Sequence, residues 1–260
     1  MIHLAQHFLI NSSAIKKIVG ALDIQKNETI IEIGPGRGAL TKPLLQQCIQ
    51  QQCQLIAIEK DSKLANSLWQ TTHNENFKIV IEDAIDYFSQ FNKTQPPYAT
   101  NYKLIGNIPY YITGKLLRTL SELSTKPQRT ILMIQKEVAE RLCAQPPQMN
   151  LLAAAVQIWA EPKIIFTLSP KDFTPPPAVE SAVIQLLPKP TTPNLDRYFA
   201  FLHVLFKQPR KTILNNLQFG LDLPKIDIEK HLGALGIPPQ DRPHNLSLEQ
   251  IQSLVHLFTS

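Results

Sequence analysis

The sequence predicts an α/β chain, a doubly wound parallel sheet followed by a small all-helical C-terminal domain. Three observations carry that expectation. Short β-rich apolar runs alternate with helix-like stretches, a glycine-rich turn joins one strand to the next helix, and only helical periodicity remains beyond a proline-rich linker.

After a short arm, NSSAIKKIVGAL places Ala14, Ile15, Ile18, Val19 and Leu22 at helical spacing, with Asn11 or Ser12 able to cap the helix. TIIEIG, QLIAIE, FKIVIED, YKLIGN and TILMIQ then read as strands, near-continuous apolar runs suited to burial on both faces of a parallel sheet. Segments containing ALTKPLLQQC, DSKLANSLWQ, ITGKLLRTLSEL and KEVAERLC read as helices between or after them. LLAAAVQIWAEPKIIFTL and SAVIQLL bracket the proline-rich SPKDFTPPPAVE without a helical crossover, so both are expected as late strands, antiparallel at the far end of the sheet. PKPTTPNL is the expected linker, dividing a first domain at residues 1–190 from a helical domain at 191–260 built on DRYFAFLHVLF, RKTILNNLQF, IDIEKHLGAL and SLEQIQSLVHLF.

Composition sets the broad class. Hydrophobic residues make up 43% of the 260, an ordinary globular share that argues against disorder. The 21 prolines gather in short stretches such as TQPP, AQPP and TPPP, which read as rigid loops. A net charge of +5 leans weakly toward a polyanionic partner. Three cysteines match no zinc, redox or disulfide spacing and the seven histidines form no H-E-x-x-H pair, so a reducing cytosol and no structural metal are expected. The apolar runs are too short to span a bilayer, and no membrane association is expected.

IIEIGPGRGALT places Gly34, Gly36 and Gly38 after a strand and before a helix, where glycines let backbone turn sharply and approach a ligand. Tight strand-to-helix packing alone would also use them. Glu59 ends the next strand, where a carboxylate can accept both ribose hydroxyls of a nucleoside, or simply sit in solvent. Asp83 follows the third strand, either as acceptor for an adenine amine or as the cap of a helix beginning at Ala84. Glu32 gives the turn the form E-x-G-x-G-x-G. An acid there repels a pyrophosphate and suits a cationic amino-acid moiety, which favours S-adenosylmethionine over a nicotinamide cofactor.

With these residues in place the chain resembles the ribosomal RNA adenine dimethyltransferases, most closely the small-subunit type. QHFL (Gln6–Leu9), EIGPGRGALT (Glu32–Thr41), IEKD (Ile58–Asp61), DA (Asp83–Ala84), GNIPYYIT (Gly106–Thr113), MIQKEVAERL (Met133–Leu142), FTPPPAVESAVIQL (Phe173–Leu186) and QPRKTILNNL (Gln208–Leu217) carry the likeness in order along nearly the whole chain. The resemblance implies a Rossmann-like class I S-adenosylmethionine-dependent methyltransferase domain followed by a helical RNA-recognition domain. It implies that His7, Leu9, Gly34, Glu59, Asp83 and Asn107 contact S-adenosylmethionine, with Gly36, Lys60 and Ala84 of the same motifs beside them. His7 stands where asparagine is frequent, and Ala5 replaces a usual glycine.

The expected reaction is dimethylation of adenine exocyclic amines in small-subunit ribosomal RNA, leaving S-adenosylhomocysteine. That nitrogen is a poor nucleophile because its lone pair is delocalised into the ring. Asn107 and a backbone carbonyl at Ile108 or Pro109 are expected to accept its hydrogens and aim the lone pair, with Pro109 stiffening the turn. Tyr110 is the expected stacking partner of the unstacked base, and Phe173, read as exposed among prolines, the second ring; a core position is the plainer reading for Phe173. Lys207, Arg210 and Lys211 are candidates for phosphate contact, or else a solvated helix face. A cytoplasmic monomer acting on the small ribosomal subunit or its precursor is expected. The rivals are a resistance-type large-subunit RNA dimethyltransferase, a non-catalytic RNA-binding or transcription factor on the same scaffold, and a nicotinamide-dependent oxidoreductase.

Overall fold

The computed structural model describes residues 7–190 and 194–259. Ala5 and Gln6 of the N-terminal motif, and residues 191–193 of the expected linker, lie outside the described residues. A short strand β1 (Phe8–Leu9) leads into α1 (Ser12–Leu22), followed by β2 (Thr29–Ile33), α2 (Thr41–Gln51), β3 (Gln54–Glu59), α3 (Ser62–Thr72), β4 (Phe77–Ile81) and α4 (Ala84–Thr94). Then come β5 (Tyr102–Asn107), α5 (Thr113–Glu122), β6 (Thr130–Gln135), α6 (Lys136–Leu142), α7 (Leu151–Gln157), β7 (Ala160–Leu168), β8 (Phe173–Thr174) and β9 (Ser181–Pro188).

Seven of these strands form one sheet in the order β4-β3-β2-β5-β6-β9-β7. The pairs from β4 through β6 are parallel, and β9 runs antiparallel to β6 with Ser181 opposite Gln135. The apolar runs explain the parallel part: all of β2 is buried, so its TIIEI pattern has no solvent face. The helices cover it with apolar stripes, Ala14, Ile18, Val19 and Leu22 on α1 and Leu44, Leu45 and Cys48 on α2. Each large aliphatic side chain so buried contributes about 1.5–3 kcal/mol. Asn11 caps α1, its Oδ1 accepting Ser13 N–H at 3.0 Å and Ala14 N–H at 3.1 Å.

The chain moves outward from β2 to β3 and β4, then returns to place β5 on the other side of β2. In sheets of this kind a ligand crevice opens beyond the carboxyl ends of the strands at that reversal. The amino ends carry a different feature, a buried ion pair in which Lys103 Nζ lies 3.0 Å from Glu28 Oε2.

LLAAAVQIWAEPKIIFTL is not one strand. Its first part is α7, capped by Asn150, whose Oδ1 accepts Ala153 N–H at 3.0 Å, and the strand begins only at Ala160. Leucine and alanine are strong helix formers, and the apolar run concealed the change of period. The chain sorts into two compact units, and the second holds Glu140–Ala160 as well as the segment from Lys189 onward. The sequence boundary at 190 missed that insertion. Its cause is packing within this unit: α7 lies against α8 (Leu195–Leu205), and Tyr198 Oη donates to Ala154 O at 3.1 Å. α9 (Ile213–Leu221), α10 (Lys225–Ala234) and α11 (Leu248–Thr259) complete the helical unit. Among the described residues no helix is long and apolar enough to cross a membrane.

Candidate active site

Chemistry-bearing residues gather at the carboxyl rim of the first unit. Beyond β2 the chain turns through Gly34, Gly36 and Gly38 with φ of 65°, 54° and 83°, left-handed conformations that glycine adopts without a Cβ penalty. Close approach is a second reason: a Cβ on Gly36 would lie 3.1 Å from the Phe8 ring, and one on Gly34 3.4 Å from Asn107 O. Glu59 closes β3 against this turn. Its Oε2 accepts Gly36 N–H at 3.2 Å and its Oε1 accepts Asp61 N–H at 2.9 Å. Each oxygen keeps a lone pair with which a ribose hydroxyl can bond.

Lys60 Nζ donates to Asp83 Oδ2 at 2.9 Å, and Asp83 Oδ1 accepts Ile85 N–H at 2.9 Å, capping α4 just before Ala84. Burial pushes the Asp83 carboxyl up, but the Lys60 ammonium and the Ile85 N–H outweigh it and hold the group below its ordinary value. The capping reading of Asp83 is therefore realised. An adenine amine would have to share Oδ2 with Lys60.

Asn107 ends β5 where Gly106 lets two strands come close: a Cβ on Gly106 would meet Ile33 O at 2.7 Å. The loop beyond is fastened by Ile108 N–H donating to Met133 O and Ile112 N–H donating to Pro109 O, both at 3.1 Å. The second bond closes a short 3-10 turn over Tyr110–Ile112. The two tyrosines differ in setting. Tyr110 is half-buried with its hydroxyl 2.9 Å from Ser181 Oγ, whereas Tyr111 is exposed.

The N-terminal arm meets this loop. Asn107 Nδ2 donates to His7 O at 3.0 Å, and His7 Nδ1 lies 2.8 Å from Pro175 O. β1 pairs antiparallel with β8, Leu9 opposite Phe173. One expectation changes here. Leu9 and Phe173 are each only 4% exposed and pack in one core cluster with Met133 and Val183, so the Phe173 ring is not the exposed ring expected. The proline-rich surroundings of Phe173 suggested exposure, but pairing with β1 turns the ring inward. His7 meets Asn107 through its backbone rather than its ring.

Glu32 lies behind the glycine turn rather than beside it. It is 1% exposed, and neither its Oε2 nor Thr41 Oγ1 has a hydrogen-bond partner among the described residues. Burial pushes its carboxyl up to about 8; the nearby Thr41 hydroxyl pulls it down and the Glu59 charge adds to the rise. An unpartnered buried acid behind a turn built for close approach fits a cationic ligand, which favours its ionised form, and offers a phosphate no counter-charge. That chemistry suits the sulfonium and ammonium groups of S-adenosylmethionine.

Sequence reasoning missed Phe8, Arg37 and Ser181. The Arg37 guanidinium sits 4.4 Å from the Phe8 ring centroid, over the glycine turn. Phe8 lies in QHFL and Arg37 in EIGPGRGALT, but nothing in the sequence ties the two together. In the helical unit Lys207, Arg210 and Lys211 are exposed on the turn after α8. Among the described residues no group of three or more His, Cys, Asp or Glu side chains could hold a metal ion.

The model of the ribosomal RNA adenine dimethylase family matches residues 2–259. A Dehalococcoides mccartyi protein named ribosomal RNA small subunit methyltransferase A is 36% identical, over 96% of this chain and 86% of its own. A Lactobacillus johnsonii protein of the same name is 36% identical, over 98% and 90%. Among solved structures, a dimethyladenosine transferase from Plasmodium falciparum superposes with a TM-score of 0.80 at 25% identity, covering 97% of this chain and 98% of that one. The 23S rRNA methyltransferase ErmE shares the fold, with a TM-score of 0.74 at 22% identity over 97% and 100%.

Proposed function

The chain belongs to the ribosomal RNA adenine dimethylase family, an S-adenosylmethionine-dependent methyltransferase by that membership, and we propose that it dimethylates adenines of the small-subunit RNA. The fold and the glycine turn are those of a class I methyltransferase. S-adenosylmethionine supplies an electrophilic methyl group when bound and leaves as S-adenosylhomocysteine. Gly34, Gly36, Glu59, Lys60, Asp83 and Ala84 hold it, with the His7 backbone bracing the rim.

One observation carries the reading. The Asn107 amide N–H is engaged by His7 O at 3.0 Å, which assigns the other end of the carboxamide as an acceptor, and Oδ1 takes no bond among the described residues. An exocyclic amine can donate one hydrogen to that oxygen. Pro109 O already accepts Ile112 N–H, so the Ile108 carbonyl is the better second acceptor. Two acceptors pull the nitrogen toward a pyramidal geometry and direct its lone pair away from them. Tyr110, its edge pinned by Ser181, offers its face to an unstacked adenine, a contact of about 1–3 kcal/mol. The methylated amine is cationic and acidic, and it loses its proton to solvent without a strong base. A rim that admits the monomethyl product allows a second transfer after cofactor exchange.

The protein is read as a cytoplasmic monomer whose Lys207, Arg210 and Lys211 contact RNA phosphates, with no metal requirement. Incubation with labelled S-adenosylmethionine and unmodified small or large subunits, followed by mass-spectrometric mapping, tests the assignment. Dimethyladenosine is expected in small-subunit RNA. Its appearance only in large-subunit RNA would overturn the proposal.

A further inference from the structure

We propose that Phe219, together with Lys207, forms a second RNA contact in the helical unit, a platform on which one unpaired base of the ribosomal substrate stacks. The inference rests on the RNA-methyltransferase reading above. α9 buries Ile213, Leu214, Asn216 and Leu217, and Phe219 falls off that face, 65% exposed. A lone exposed aromatic needs no explanation by itself. The surroundings of this one do: Lys207 Nζ lies 4.4 Å from the ring centroid, and Arg210 and Lys211 are exposed on the same turn.

Both halves of the platform are held before any ligand arrives. Asn216, 3% exposed, accepts Gln208 N–H at 2.9 Å and donates to Gln208 O at 3.1 Å and Thr212 O at 3.0 Å, clamping the turn that carries the cations. At Gly220 a Cβ would meet Val204 Cγ1 at 2.3 Å, so the end of α9 packs directly on α8 next to Phe219. Preorganisation of this kind lowers the entropy lost on binding.

The chemistry selects the occupant. A ring offers every base a stacking face without reading its edges, and clustered cations meet the adjoining phosphates. An apolar protein partner would have no use for a cation on the ring and two more exposed on the turn that carries it. Lys225, farther along, is engaged with Glu229 at 3.5 Å and adds little to the positive field.

Affinity for unmodified small subunits, and for the protein-free RNA extracted from them, is measured for Phe219→Ala, Phe219→Leu and Phe219→Trp. Stacking is worth about 1–3 kcal/mol, so Phe219→Ala is expected to weaken both by about 5- to 150-fold. Phe219→Leu should behave like Phe219→Ala because it lacks a π face, and Phe219→Trp should keep wild-type affinity. S-adenosylmethionine binding and melting temperature should not move. Wild-type affinity in Phe219→Leu with loss in Phe219→Ala would show an apolar contact rather than stacking and overturn the platform, as would a change of oligomeric state in Phe219→Ala. Unchanged affinity in all three variants, with an active wild type, overturns the platform alone. Absence of any ribosomal RNA binding by the wild type overturns the functional reading with it.

Discussion

Asn107 donates its amide N–H to the backbone carbonyl of His7 at 3.0 Å, so the end of β5 and the N-terminal arm are joined by one side chain. The bond is long-range in sequence and orients the carboxamide. Asn107→Ala removes both the tie and the acceptor. Loss of one such transition-state contact lowers kcat by about 100- to 1,000-fold, and single-turnover methylation should show it. Asn107→Asp keeps an acceptor but sets a carboxylate against the His7 carbonyl, and it should fail to the same degree. A rate within threefold of wild type in either variant would remove Asn107 from the reaction.

Glu32 makes the pH dependence a second test. Its carboxyl is raised from 4.5 to about 8 in the folded protein, chiefly by burial. The folded state therefore holds a proton that the unfolded state has released, and stability from this group is full at acidic pH. It falls as pH rises from about 4.5 to about 8 and is gone above that. Glu32→Gln carries no such proton, so its melting temperature should gain on wild type as pH is raised across that window. A cationic ligand favours the charged carboxylate, so S-adenosylmethionine binding near neutral pH should release a proton in wild type and none in Glu32→Gln. Calorimetry in buffers of different ionisation enthalpy reads this directly. Parallel melting curves and equal proton release in the two proteins would sink the idea.

Tyr110 and Phe173 separate by the same logic, one ring at the rim and one in the core. Tyr110→Ala should raise KM for the RNA subunit about 5- to 150-fold with little change in melting temperature. Tyr110→Phe loses only the hydroxyl held by Ser181 and should lie near wild type. Phe173→Ala should destabilise the fold by about 3–5 kcal/mol, as for other large-to-alanine changes in cores. Normal stability in Phe173→Ala combined with loss of RNA binding would restore the stacking role read from its prolines.

Much of the fold was legible because burial on both faces leaves a plain mark. TIIEI, QLIAIE and YKLIGN are strands with no polar face, and their order gave the doubly wound sheet. The glycine turn, Glu59 and Asn107 could be placed because each closes a strand, and strands in a parallel sheet end at one rim. Positions set by tertiary pairing were not legible. Phe173 is buried by a partner more than a hundred and sixty residues away, and Leu9 by the same two-residue pairing. LLAAAVQ carries alanines that suit a helix, but it runs into a true strand with no glycine or proline between them. The motif puts Glu32 next to the glycines in sequence, but packing against the sheet sets its side chain behind them, desolvated.

Lys103 and Glu28 offer a last test, at the amino end of the sheet. The pair is almost wholly buried, with side chains 6% and 5% exposed, and Glu28 Oε2 also accepts Gln25 N–H at 2.8 Å. Lys103 Nζ additionally donates to Asp23 O, at the cap of α1. Removing one partner of a buried pair leaves an uncompensated charge, and Lys103→Met should cost about 3–5 kcal/mol in chemical denaturation. Replacing both partners is a different matter, because two neutral side chains need no counter-charge. Lys103→Met with Glu28→Gln should therefore recover most of that loss. Lys103 stands four residues before Asn107 in β5, about 13 Å along the strand, so methyl transfer by the folded double variant should match wild type. Additive losses in the two single variants and the double would show that the charges act independently, and slowed chemistry in a stable double variant would show that this end of the sheet reaches the rim.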